Sequence, residues 1–130
     1  MPQQLILPAT IMSLAFVFYT AGVWWERLER RLRGRHVALF WLGIVCDGTA
    51  TYLMRQLVIA GEDPGFIHSV TGLAAFLLML LHALWATWVL AKGSAEARAG
   101  FHRYSVAVWA IWLVPYVGGM VAGMMRGAGG

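Results

Sequence analysis

The sequence predicts an all-α membrane protein: a four-helix antiparallel transmembrane bundle running up, down, up, down, with both termini outside. Composition is the first observation behind that reading. Of 130 residues, 60% are hydrophobic and 12% charged, and the mean hydropathy is +0.67. A soluble domain carries about 25% charged residues. The second observation is segregation: the charges cluster and leave four apolar stretches, at about 5–25, 37–59, 66–90 and 104–125. The third is that the connections between them are short, which makes neighbouring helices antiparallel and adjacent.

Each stretch holds the ~20 residues that a helix needs to cross ~30 Å of hydrocarbon at 1.5 Å per residue. The runs are continuous rather than alternating, which excludes a β-barrel. Together they form one transmembrane domain, 1–130.

The first span, 5–25, lacks a basic leader and a small-residue cleavage site, so it reads as retained rather than as a signal peptide. Glu26–Arg33 reads as its helical continuation into the cytoplasm, ended by Gly34. The second span carries Asp47 and Arg55, and Gly61 is placed to stop it. Asp63-Pro64 reads as the N-cap and first residue of the third helix, which carries His68 and His82. Gly93 is expected to stop that helix and Ser94 to cap the fourth, which begins before the membrane does.

Formal net charge is +4, but its distribution argues against nucleic acid. Arg27, Arg30, Arg31, Arg33 and Arg35 lie between the first two spans, and Lys92, Arg98 and Arg103 between the last two. The opposite loop carries Glu62 and Asp63. By the positive-inside rule the basic loops are cytoplasmic, in a bacterial or archaeal cytoplasmic membrane. Trp24, Trp25, Trp41 and Trp88 read as an inner aromatic belt that anchors the bundle, with His36 beside them at the interface. Cys46 sits alone inside the second span, so no intramolecular disulfide is possible.

Helical spacing assigns an inward seam to each helix. On the first it is Ser13, Val17, Thr20 and Trp24; on the second His36, Phe40, Gly43, Asp47, Ala50 and Met54. On the third it is His68, Gly72, Ala75, Met79, His82 and Ala86, with Leu73, Leu77, Leu80, Leu84 and Trp88 left for lipid. On the fourth it is His102, Ser105, Trp109, Trp112, Tyr116, Gly119 and Gly123. Gly119 and Gly123 form a minimal close-packing motif, read as packing within the bundle or as a homodimer contact.

Ionisable residues inside a bilayer are costly and mark function by default. Taking residue 92 as the turn centre, His82 lies ten positions before it and His102 ten after, each ~15 Å along its helix. Two imidazoles at matched depth are the axial pair that a haem iron needs. Arg98 and Arg103 at the rim are then candidates for the propionates. His68 lies fourteen positions from His82 on the same helix, ~21 Å away, and has no second outer histidine to pair with. At most one bis-histidine haem b per protomer is therefore supported, unless a dimer supplies the missing ligand.

Reflection about Glu62 brings Asp47 within ~7 Å of His82 along the bundle. An Asp47–His82 polar core, as a proton or ion site or as interhelical glue, competes with haem for His82. His82, His102 and Asp47 as zinc or copper ligands are a lesser option. Arg55 and His68 are candidates to hold an anionic or quinone-like head group on the outer side.

The stretches "AFVFYTAGVW", "LFWLGIVCDGTATYLM", "HSVTGLAAFLLMLLHALWAT" and "FHRYSVAVWAIWLVP" resemble the HsmA-type small four-span bacterial and archaeal membrane proteins. That resemblance implies fold and membrane location and carries no activity. More loosely, the histidines look like those of small membrane b-type cytochromes, an analogy at fold level. The first functional expectation is thus a b-type haem or electron-transfer component passing electrons to a quinone or a larger membrane complex. The alternative is a cofactor-free accessory or ion- or proton-coupled component.

Overall fold

Four helices make up the described chain: α1 (Gln3–Glu29), α2 (Gly34–Ile59), α3 (Phe66–Lys92) and α4 (Ala95–Gly129). The computed structural model describes the backbone over 3–59 and 66–129, and side chains over 6–56, 71–121 and 124–125. The expected stop at Gly61 and cap at Asp63-Pro64 lie outside the described residues, as do the His68 side chain and the packing around Gly123. All four helices are long and apolar enough to cross a membrane, over Ile6–Glu29, Gly34–Gln56, Thr71–Lys92 and Ala95–Val121.

α1 packs most extensively against α2 and also touches α4, while α3 packs on α4 and α2. Close approach of α1 to α2 rests on Gly22 and Gly43. A methyl group at Gly22 would meet Phe40 Cε1 at 2.8 Å, and one at Gly43 would overlap the Tyr19 ring. Small residues let helix backbones approach in lipid, where apolar burial alone gives no drive to associate.

The α1–α2 turn departs from the sequence expectation. α1 ends at Glu29 rather than running to Gly34, because Arg30 takes a left-handed backbone with φ 54°. Its amide still reaches Glu26 O at 2.8 Å, a C-terminal cap made without glycine. Leu32 then tucks inward, 1% exposed, with its amide bonded to Arg98 O at 3.0 Å. Gly34 opens α2 instead of closing α1.

The α3–α4 turn follows the sequence. Gly93 N returns to Val89 O at 2.8 Å, and Ser94 Oγ accepts from Ala97 N at 3.1 Å. Pro115 sits inside α4, where its ring removes one helical amide donor.

The inward seams on α2 and α3 hold where they are described: Phe40, Ala50, Ala75, Met79 and Ala86 are buried, together with Asp47 and His82, and Ala83 joins them from outside the expected seam. α1 is turned from its expected face. Val17 and Trp24 are 55% and 37% exposed, and Ala15, Tyr19, Val23 and Glu26 go inward instead.

Candidate functional site

Buried polar side chains fall into two clusters in the bundle core. The first is built on Asp47, 2% exposed. Its Oδ2 accepts from Tyr19 Oη on α1 at 2.9 Å and from Trp112 Nε1 on α4 at 3.0 Å. Thr51, one turn along α2, donates to Oδ1 at a long 3.5 Å. The Tyr19 and Trp112 rings meet edge to face, centroids 5.1 Å apart. A buried carboxylate needs such donors to offset its lost hydration, and here α1, α2 and α4 each supply a side chain.

The second cluster lies nearer the arginine-rich end. Glu26 of α1 is fully buried, and its Oε1 accepts from Ser105 Oγ of α4 at 2.7 Å. Ser105 Oγ in turn lies 2.9 Å from His82 Nε2 of α3. A hydroxyl has one proton, and beside an ionised Glu26 it goes to the carboxylate. His82 therefore donates through Nε2–H, which leaves Nδ1 as the lone-pair nitrogen. Phe101 stacks on the imidazole at 5.2 Å, and Phe40 meets it edge-on at 4.7 Å.

The ends of this chain, Glu26 Oε2 and His82 Nδ1, are buried and have no partner among the described residues. Spacing ties the clusters together. Tyr19 to Glu26 on α1, Asp47 to Phe40 on α2 and Trp112 to Ser105 on α4 are each seven positions, about 10.5 Å along a helix.

A third group fastens the α1–α2 turn. Buried His36 accepts from Arg33 N through Nδ1 at 3.0 Å, and its Nε2 lies 2.8 Å from Glu29 Oε1. Arg35 pairs with the same carboxylate through both oxygens, and its guanidinium lies over Trp25 at 4.7 Å. Two of the tryptophans expected to form the belt also make contacts inside the bundle: Trp41 donates to Thr87 Oγ1 at 2.9 Å, and Trp24 meets Trp109 edge to face at 5.4 Å.

The other sequence candidates are distributed differently from expectation. Asp47 and His82 do not share a bond; each has its own partners. His102 is half-buried, its Nδ1 has no partner among the described residues, and it lines a cavity with Arg103, Arg27 and Arg30. Arg98 donates to Leu90 O at 3.0 Å and leaves Nε buried and unpaired. Arg55 is exposed and Gly119 half-buried. Among the described residues no group of three or more His, Cys, Asp or Glu side chains is arranged to hold a metal, so the His82, His102 and Asp47 set is not assembled.

Sequence reasoning missed Glu26 and Tyr19. Glu26 follows Trp24-Trp25 and opens an arginine run, so it read as water-facing. The signal was the spacing Ala15, Tyr19, Val23, Glu26, an unbroken inward face. No family model, curated protein or solved structure matches this chain.

Proposed function

We propose that this chain is a proton-coupled membrane component, with Glu26, Ser105 and His82 as its relay. In this reading the bundle runs up, down, up, down with the arginine-rich turns in the cytoplasm of a bacterial or archaeal cell. The observation that carries it is the hydrogen-bonded chain itself. A buried imidazole, hydroxyl and carboxylate from α3, α4 and α1 stand at 2.9 and 2.7 Å, with a free acceptor at each end.

A proton arriving at His82 Nδ1 releases the Nε2 proton to Ser105 Oγ, and Ser105 passes its own to Glu26 Oε1. The carboxylate becomes a neutral acid and His82 the Nδ1–H tautomer. Reversal resets the chain directly; after loss of the proton from Glu26, the Ser105 hydroxyl must turn back to the carboxylate and the His82 proton must return from Nδ1 to Nε2 by tautomer exchange. Buried titratable groups of this kind are costly in a membrane interior and are kept where protons or ions move.

The bis-histidine haem reading makes other demands. It needs room for a macrocycle beside the free Nδ1 of His82, whereas that nitrogen is buried and Phe40 and Phe101 flank the ring. His102 lines a different cavity.

Proton uptake into liposomes carrying a pH dye, driven by a potassium diffusion potential, tests the relay. Wild type and Ser105→Thr, which keeps the hydroxyl, are expected to conduct; Ser105→Ala and Glu26→Gln are expected to lose the flux. Equal flux in Ser105→Ala overturns the relay. So does a Soret band in the purified protein that disappears in His82→Ala, since His82 would then serve iron.

A further inference from the structure

Where the end of α1 meets α4, a cavity of about 610 Å³ is lined by Arg27, Leu28, Arg30, Ala99, His102 and Arg103. We infer that it seats the phosphate headgroup of an acidic membrane lipid.

Counter-charge is the first argument. Three guanidiniums line the cavity, and among the described residues no carboxylate pairs with any of them. Of the acids nearest in sequence, Glu29 is taken by Arg33, Arg35 and His36, Glu26 accepts from Ser105 through Oε1 and keeps Oε2 buried, and Glu96 on α4 forms no ion pair with a lining arginine. The neighbouring cavity of about 540 Å³, lined by Arg31, Arg33, Arg35 and Arg98, already has Glu29 against two of its arginines. Arg31 and Arg98 of that cavity also lack a carboxylate, but only on the α1–α4 side is every lining arginine without one among the described residues.

Geometry adds a second argument. His102 is itself a lining residue, and its Nδ1 is buried with no partner among the described residues. Arg30 is held at the rim by its left-handed backbone, which caps α1. Guanidinium groups suit phosphate because their N–H groups form a planar fork that matches its oxygens.

The surroundings favour a lipid over a soluble phosphate. Leu28, in the cavity wall, is 82% exposed, and Tyr104, next to Arg103, is 54% exposed. Trp24 lies under the Arg27 guanidinium at 5.9 Å. Apolar and aromatic side chains beside a basic pocket at a helix end fit a headgroup whose acyl chains lie against the bundle.

Native mass spectrometry of the delipidated full chain, titrated with phosphatidylglycerol, phosphatidylcholine or inorganic phosphate, tests this. Phosphatidylglycerol is expected to bind selectively, and Arg27→Gln with Arg103→Gln to weaken it about thirtyfold. Arg31→Gln, in the other cavity, is expected to leave it unchanged, and Arg27→Lys with Arg103→Lys to retain most of it. Should the double Gln variant aggregate, Arg103→Gln alone, at an exposed position, carries the same test at about fivefold. Wild-type affinity in the Gln variants, or equal binding of phosphatidylcholine, overturns the site. Displacement of the lipid by an equal concentration of inorganic phosphate assigns the cavity to a soluble anion and overturns the lipid.

Discussion

Tyr19 Oη donates to Asp47 Oδ2 at 2.9 Å from a ring that lies over the notch left by Gly43, one turn earlier on α2. The same oxygen takes the Trp112 indole proton from α4. One carboxylate thus fixes the rotation of α1 and α4 against α2, and the glycine sets how closely the tyrosine can come.

Removing one donor and removing the shared acceptor should have different consequences. Tyr19→Phe deletes a single bond, worth about 1 kcal/mol between membrane helices. Asp47→Ala leaves the Tyr19 hydroxyl and Trp112 indole without their acceptor, at about 1–3 kcal/mol each. Unfolding by titration with denaturing detergent measures both. Equal stability of the two variants would contradict a shared acceptor at Asp47.

Gly43→Ala should cost about 1–3 kcal/mol, because its Cβ overlaps the Tyr19 ring and must displace it from Asp47. Gly72→Ala on α3 is the control. Among the described residues a Cβ there meets nothing within 4 Å, so that variant should be neutral or gain up to about 1 kcal/mol of helix propensity. Thermal unfolding in one detergent ranks them, and a tolerated Gly43→Ala would argue against the close α1–α2 approach.

Helix number and length were legible because apolar runs of this size have few alternatives. The α2 and α3 seams were legible too, since Asp47 and His82 had to point inward and small residues lay at helical spacing from them. α1 was not. Lipid is as apolar as the core, so hydrophobicity does not separate its faces, and the weakly polar Ser13 and Thr20 served as guides. They bond at the flank facing α4, to Tyr116 and Trp109, while Tyr19 and Glu26 occupy the centre. The partners of His82 were hidden for a related reason. Matched depth says which residues share a layer, but a rotation of a few tens of degrees decides which of them touch.

His36→Leu should loosen the α1–α2 turn without unfolding the bundle. The imidazole joins Arg33 N at one end of the turn to Glu29 at the other, and its ring is buried. Loss of these two bonds costs about 1–3 kcal/mol locally. Hydrogen exchange should accelerate at the Arg33 amide and its neighbours 30–32, with α3 unaffected. Unchanged protection at Arg33 would show that the backbone holds the turn by itself.

The tautomer of His82 is the sharpest consequence of the Glu26–Ser105 bond. Ser105 has one proton and donates it to Glu26 at 2.7 Å, so His82 must supply the proton of the 2.9 Å contact through Nε2. Nitrogen chemical shifts of ¹⁵N-histidine-labelled protein, assigned by comparison with His82→Gln, should show a protonated Nε2 and an unprotonated Nδ1 near neutral pH. Glu26→Gln should alter that preference, because the amide can turn its NH₂ towards Ser105 and reverse the hydroxyl, which then donates to the imidazole. Ser105→Ala should abolish the preference and leave both tautomers accessible. An Nδ1–H tautomer in the wild-type protein would reverse the direction of the chain, and with it the entry point proposed for the proton.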